Sequence, residues 1–260
     1  VAASADLTPA LILGSLRYGE TSRIVRLATR TAGVRSAIAK GAHRPRSPFG
    51  AALQLFSEGT AHLLPTRTDL HTVTAFDLTD LHAGLANHLE RFHAAAALAE
   101  LTVRFVPPLP NTDLYDDLVA SIALIEVAPV EALPVVGLRS LWRLIANLGL
   151  APEVDACARD GAPLPDGAVG FSHRDGGFLC DACARGGVAT RLPPSDRVAL
   201  GELLRAGAEL PILSSRHVAA HRRLLVRWVQ THLGDVSLPA LETWQRDPSG
   251  DPDDTPRVRE

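Results

Sequence analysis

Five strand-length runs crowd into residues 10–76, and that density constrains the fold more than any other feature. ALILGSLRY, SRIVRLAT, VRSAIAK, GTAHLLPT and DLHTVTAFD are separated by turn signals at Gly19-Glu20-Thr21, Gly33, Gly41 to Gly50 and Pro65 to Thr68. Within SRIVRLAT, Ile24, Val25 and Leu27 alternate imperfectly with Arg23, Arg26 and Thr29. Five such strands in so short a stretch predict a small barrel, and the five-stranded OB-fold is the natural candidate. Barrels of this kind often present a basic face to single-stranded nucleic acid.

From Leu78 the apolar period becomes helical. Leu81, Leu85, Leu89, Phe92, Ala96 and Ala99 predict one long helix with Thr79 as its N-cap, carrying His82, His88 and His93 on different faces as surface or core filler. Asn111 is expected to cap a second helix over 114–127, and a third covers 137–148 with Gly149 as its stop. Later, Ser195 opens a helix ending near Gly207, and Ser214 or Ser215 opens another that Gly234 terminates. The expected organisation is α+β and multidomain. An OB-fold at 1–77 precedes a helical bundle at 78–150 and 194–244, which a Cys-containing insert at 151–193 interrupts. The Pro- and Asp-rich tail at 245–260 is expected to be disordered.

Hydrophobic residues make up 46% and charged residues 21%, a balance that excludes a collagen-like or wholly disordered chain. No apolar run reaches the roughly 18 residues of a membrane span. The first fifteen residues carry no basic residue ahead of their short apolar patch, and three cysteines fit a reducing compartment. A cytoplasmic, nucleoid-associated protein with no membrane partner is expected.

The net charge of −3 hides a strong local imbalance. From Gly14 to Phe49 there are eight basic residues against the single acid Glu20. Arg35, Lys40, Arg44 and Arg46 cluster around a long Gly- and Pro-containing turn, with Arg23 and Arg26 nearby, and are the candidate phosphate contacts. A second zone, Leu210 to Gly234, holds Arg216, Arg222, Arg223, Arg227 and three His without an acid. At about 100° per residue, Arg223 and Arg227 each fall within roughly 20° of Arg216, with Val218, Leu224, Leu225 and Trp228 on the other half. Such a row suits phosphates or a carboxylate-bearing peptide.

Cys157, Cys180 and Cys183 are the only thiols, arranged as C-A-R-D, nineteen residues, then C-D-A-C. A structural zinc site reads C-x2-C, about 15–20 residues, C-x2-C, with Asp160 here in the second position. A carboxylate also ligates Zn²⁺, so Cys157, Asp160, Cys180 and Cys183 are the expected set for one structural zinc per chain. His173 is the rival fourth ligand, and Asp155 and Asp181 are weaker ones. The Gly- and Pro-rich segment between the pairs is expected to form no core, leaving its order to the metal.

Phosphate-loop, dinucleotide, nucleophile-elbow and H-E-x-x-H signatures are absent from the sequence. A deaminase would need Glu two residues after its first ligand and Pro before the second pair, where Arg159 and Leu179 stand.

The block ALILGSLRYGETSRIVRLAT, then Gly33, Ala39-Lys40-Gly41-Ala42, Ser47 and Leu53-Gln54-Leu55-Phe56, resembles the start of the bacterial recombination mediator family RecO. Gly176-Gly177-Phe178-Leu179-Cys180-x-x-Cys183 resembles that family's zinc-finger exit, while Asp160 stands where the family has a Cys. The resemblance, over about residues 10–233, implies an OB-fold, a helical domain and an inserted zinc finger. It implies binding of single- and double-stranded DNA, strand annealing, and help in loading recombinase onto SSB-coated DNA. Its implied partners are RecR, sometimes RecF, and the acidic C-terminal tail of SSB, for which Arg216, Arg223 and Arg227 are the candidate contacts. The expected function is a non-enzymatic mediator. The alternatives are a zinc-dependent nucleic-acid hydrolase or deaminase and an RNA-binding module of translation.

Overall fold

The computed structural model describes residues 5–66, 68–185, 189–234 and 236–246, and its contacts divide the chain into two compact units, up to Ala128 and from Pro129. In the first unit, β1 (Asp6–Tyr18), β2 (Ser22–Thr29), β3 (Gly33–Ala39), β4 (Glu58–Leu64) and β5 (Leu70–Asp80) close into a barrel of order β1-β2-β3-β5-β4. The expected five-stranded barrel is present. Only β3 and β5 pair in parallel. The interior is lined by Ala10, Ile12, Val25, Leu27, Ala37, Ala39, Ala61, Leu63, Val73 and Phe76. Four of these are alanines, and Phe49, Ala52 and Leu53 from the β3–β4 loop fill the space those small side chains leave. Gly33 opens β3 at φ 72, and a Cβ there would strike the backbone of Pro107 and Leu109, so glycine is required on both counts.

β5 runs on to Asp80, which pairs with Glu58, so Thr79 is a strand residue and not a helix cap. The long helix expected from that cap is replaced by a short 3-10 turn at Ala83–Asn87 and then α1 (Leu89–Phe105). His88 caps α1, its ring accepting from the Glu90 amide at 3.2 Å, and of the three histidines only His93 lies in the helix. Asn111 caps α2 (Thr112–Val127) as expected, accepting from the Leu114 amide at 3.0 Å.

In the second unit, α3 (Leu133–Asn147) starts four residues before the expected position, because Pro134 fits the first turn of a helix. Gly149 leaves it at φ 76. β6 (Val169–Ser172), β7 (Gly177–Leu179) and β8 (Thr190–Leu192) form a small antiparallel sheet, and α4 (Asp181–Ala184) is a single turn. α5 (Pro194–Leu204), α6 (Ser215–Leu233) and α7 (Pro239–Arg246) follow. The Ser214 hydroxyl caps α6, and Gly234 ends it at φ 97. The tail from residue 247 lies outside the described residues. No described helix is long and apolar enough to cross a membrane.

The insert does form a core, against expectation. Val169, Phe171, Phe178 and Leu179 are buried on the small sheet. Phe171 stacks edge-on to Phe178 at 5.0 Å and lies 5.7 Å from Trp228 of α6, whose ring is 6.2 Å from Trp142 of α3. Sparse as they are, these apolar residues suffice because helices supply the other side of the core. The Trp228 indole N–H donates to the Leu150 carbonyl at 2.9 Å. Trp228→Ala is therefore expected to cost about 3–5 kcal/mol, read by urea unfolding of the second unit.

Candidate functional site

Cys157 and Asp160 sit on one tight turn. The Cys157 amide donates to the Ala162 carbonyl at 2.8 Å, and Gly161 at φ 71 donates back to the Cys157 carbonyl. Cys180 caps the start of α4 and Cys183 lies within it, with the Ala184 amide donating to the Cys180 carbonyl at 2.9 Å. The two turns are tied together. The Ala158 amide donates to the Phe178 carbonyl at 2.7 Å, and Arg159 donates to the Cys183 carbonyl while forming a bidentate pair with Asp175. Gly177, at φ 154, lets β7 press against the Glu153 backbone, where a side chain would collide.

This scaffold brings one donor atom from each of Cys157, Asp160, Cys180 and Cys183 within 4.8 Å of the others. One Asp160 oxygen accepts the Ala162 amide at 3.0 Å, while the other faces Cys183 Sγ at 3.1 Å and Cys180 Sγ at 3.6 Å. The Asp160 carboxylate pushes the Cys183 thiol up to about 12. Three thiolates and a carboxylate at such distances repel one another unless a cation sits among them, so the donor set fits a tetrahedral metal ion. His173 is elsewhere. Its ring lies 5.2 Å from Phe171 and 6.1 Å from Trp228, in the aromatic cluster.

On the barrel, Lys40, Arg44 and Arg46 are exposed at the β3–β4 loop and Arg35 is half-buried on β3. Gly41 takes φ 72, and Arg44 folds back over it. Arg46 is itself left-handed at φ 69. Exposed Arg26 donates to Ser36 Oγ at 2.6 Å. Arg23 is engaged internally, donating to the Leu53 carbonyl and to His43 at 3.2 Å each. Arg30, counted in the basic excess, is neutralised by a bidentate pair with Asp116.

A β-bulge between Ile12 and Gly14 adds a feature that alternation could not reveal. Beyond it the facing of β1 inverts, so Leu16 and Tyr18 point outward, 68% and 54% exposed. Leu16 pairs with Ile24, and Ile24 with Ile38, giving an apolar row across three strands. Arg26 borders that row on one side, and Tyr18 and Lys40 border it on the other.

On α6, Arg216, Arg223 and Arg227 are exposed. Arg222 does not belong to that surface. It is buried, donating to the Trp244 carbonyl at 2.8 Å with its guanidinium 4.7 Å from the Trp244 ring centre. Arg223 and Arg227 border a cavity of about 280 Å³, which Leu192, Ala220, Leu224, His173, His221 and Asp196 also line. His221 is buried and its ring nitrogens make no hydrogen bond among the described residues, its nearest acid being Asp196 at 3.5 Å. Burial lowers the affinity of His221 and His173 for a proton.

Residues 6–82 match the family model described as Recombination protein O N terminal, and residues 86–242 match Recombination protein O C terminal. This chain belongs to the RecO family. It is 33% identical over 234 residues to a protein of Anaeromyxobacter dehalogenans named DNA repair protein RecO, covering 86% of this chain and 90% of that one. It is 32% identical over 225 residues to the Rubrobacter xylanophilus protein of the same name, with 86% and 88% covered. The relatives' names give no enzymatic activity. The RecO_N match spans the barrel with its basic loop, and the RecO_C match spans the Cys cluster and α6.

The structure places the Asp160 carboxylate beside the three thiols and the His173 ring away from them. Metal analysis of protein purified without chelator is expected to find one ion per chain, retained in His173→Ala and largely lost in Asp160→Ala and Cys183→Ala.

Proposed function

We propose that this RecO-family chain is a non-enzymatic mediator of DNA repair and recombination. It binds single- and double-stranded DNA, anneals complementary strands and helps load recombinase onto SSB-coated DNA. The observation that carries this reading is the set of exposed cations Arg26, Lys40, Arg44 and Arg46 on the barrel of a chain whose relatives are named DNA repair proteins. Lys40, Arg44 and Arg46 have no acidic partner among the described residues, so their charge is available to phosphates. Arg35 adds to the same field, and Arg23 holds the loop through Leu53.

Neutralising phosphates on two strands lowers their mutual repulsion, and pairing can then nucleate. The base pairs supply sequence specificity, so base-edge contacts from the protein are not required. The apolar row of Leu16, Ile24 and Ile38, with Tyr18 at its margin, offers a surface for unstacked bases of a single strand.

The metal is zinc, one per chain and structural. Sulfur donors favour it over magnesium or calcium. Four protein donors complete its tetrahedron, whereas a catalytic zinc keeps an open position for water. It orders the two turns that carry Cys157–Asp160 and Cys180–Cys183.

The cavity beside Arg223 and Arg227 suits the acidic C-terminal tail of SSB. An apolar side chain fills the pocket while the guanidinium groups meet carboxylates, with Arg216 about two turns from Arg223 and about three from Arg227 on the same helix. RecR, and in some family members RecF, enter as partners on the family resemblance. The chain acts in the cytoplasm at the nucleoid.

Two measurements test this reading. Replacing Lys40, Arg44 and Arg46 with Ala is expected to weaken oligonucleotide binding across sequences and to lower the salt slope by about 0.7 per lost contact. An unchanged slope removes these residues from the DNA surface. Arg223→Ala with Arg227→Ala is expected to weaken a fluorescent SSB-tail peptide by at least about tenfold, about 1.4 kcal/mol, with much less effect on oligonucleotide. The reverse pattern reassigns α6 to DNA. Chelator-sensitive turnover of a labelled oligonucleotide would overturn the non-enzymatic reading.

A further inference from the structure

His82, just past the end of β5, is a buried histidine gripped from both sides by acids. Its side chain is 3% exposed. Nδ1 lies 2.7 Å from Glu126 Oε2, near the end of α2, and Nε2 lies 3.2 Å from Glu58 Oε2, the first residue of β4. The backbone is fixed as well. The His82 amide donates to Asp80 Oδ1 at 2.8 Å, and the residue adopts the left-handed conformation at φ 46 and ψ 44. The second Glu126 oxygen accepts the Gly84 amide at 2.8 Å.

A neutral imidazole carries one N–H and one lone pair, so it can donate to only one of two flanking carboxylates. Donation to both requires the imidazolium, whose two N–H groups leave no lone pair for a metal. The geometry is that of a charged clip joining β4, the end of β5 and α2.

Glu58 is also where the basic loop returns to the sheet. Phe56, at φ 68, donates its amide to the Ile12 carbonyl at 2.8 Å, and its ring meets Phe92 of α1 edge-on at 6.0 Å. The Ile12 amide in turn donates to the Ser57 carbonyl at 2.9 Å. Residues 56–58 thus form the loop's anchored exit, with His82 holding its last residue.

We propose that His82, as an imidazolium, is a positioning residue that pins Glu58 and thereby sets the loop carrying Arg44 and Arg46 for nucleic-acid binding. The functional half of this rests on the DNA-binding reading of the loop, whereas the clip itself does not.

The charged groups that face the ring are all acids: Glu58 from β4, Asp80 from β5 and Glu126 from α2. Burial alone would lower the ring's proton affinity. The bonds to Glu126 and Glu58 and the field of Asp80 outweigh burial, so the pKa lies above the ordinary 6.5. The sign follows. The clip is fully present below the unfolded value, and its contribution is lost as pH rises through the folded value. Alkaline, not acidic, conditions loosen the loop.

NMR titration of the His82 ring in the full chain reads the clip directly. A midpoint above about 6.5 with both nitrogens protonated below it is expected, and a lower midpoint or a single neutral tautomer at the acid end overturns the clip. Glu126→Gln is expected to lower that midpoint, and an unchanged midpoint counts equally against it. Amide protection factors for 41–58 are expected to fall as wild type passes through the midpoint, with no such step in His82→Gln. Absence of the step in wild type overturns the positioning role. Should His82→Gln fail to fold, the wild-type titration and Glu126→Gln still decide. Oligonucleotide affinity across the same window separates the two halves. If protection steps and affinity does not, the clip stands and the loop is not the DNA surface.

Discussion

β1 is hydrogen-bonded along both edges, to β4 over its first half and to β2 over nearly all the rest. A sheet so joined has no free edge to recruit another strand. It must also bend, and the bulge between Ile12 and Gly14 takes up that bend. Much of the first unit follows from this one irregularity. It turns Leu16 and Tyr18 to solvent and Ser15 inward against Val25. On the other edge of β1, the Ile12 backbone bonds Phe56 and Ser57, which fixes where the long β3–β4 loop ends. The same loop fills the barrel with Phe49 and Leu53, so its cations sit on a segment whose apolar side chains are part of the core.

The second unit solves a different problem. Its small sheet has only ten strand residues and could not bury a core alone. The helices lend it Trp228 and Trp142, and Phe171 and Phe178 insert against them. The four candidate metal donors lie on two turns tied to this sheet, with Cys180 directly following β7. Sheet order therefore rests on aromatic packing, which leaves only the two donor-bearing turns for a bound ion to fix. A carboxylate in the fourth position fits this division of labour. Asp160 is first fixed by the Ala162 amide and then presents its free oxygen to the thiols.

Features encoded by adjacent residues were legible in the sequence. The five strands, the caps at Asn111 and Ser214, the stops at Gly149 and Gly234, and the Cys157–Asp160 and Cys180–Cys183 pairs each depend on a few neighbouring side chains. Features that depend on distant partners were not. Thr79 looks like a cap, yet pairing of β5 with β4 carries the strand past it. His82 reads as filler because Glu58 and Glu126 lie 24 and 44 residues away. Arg222 reads as one more surface cation, but the Trp244 ring and carbonyl bury it. Alternation counts Leu16 and Tyr18 with the inward set of Ile12, and one bulged residue reverses both.

That reversal bears on how such a barrel would hold a strand. Contacts between cations and phosphates weaken steeply as salt rises, because their free energy comes largely from released counterions. Contacts between apolar side chains and unstacked bases carry no such penalty. A surface with Arg26, Tyr18 and Lys40 around the row of Leu16, Ile24 and Ile38 combines both kinds within one sheet face. Duplex DNA hides its base faces, so it could use only the cations. A single strand could use both. The row would therefore give a preference for single strand over duplex that persists as ionic strength rises and the cation contacts fade, because the free energy of its own contacts hardly changes with salt. For the annealing role proposed above, pairing would withdraw the bases from the row and leave only the weaker, salt-sensitive hold, so the product duplex would be released more readily than either strand.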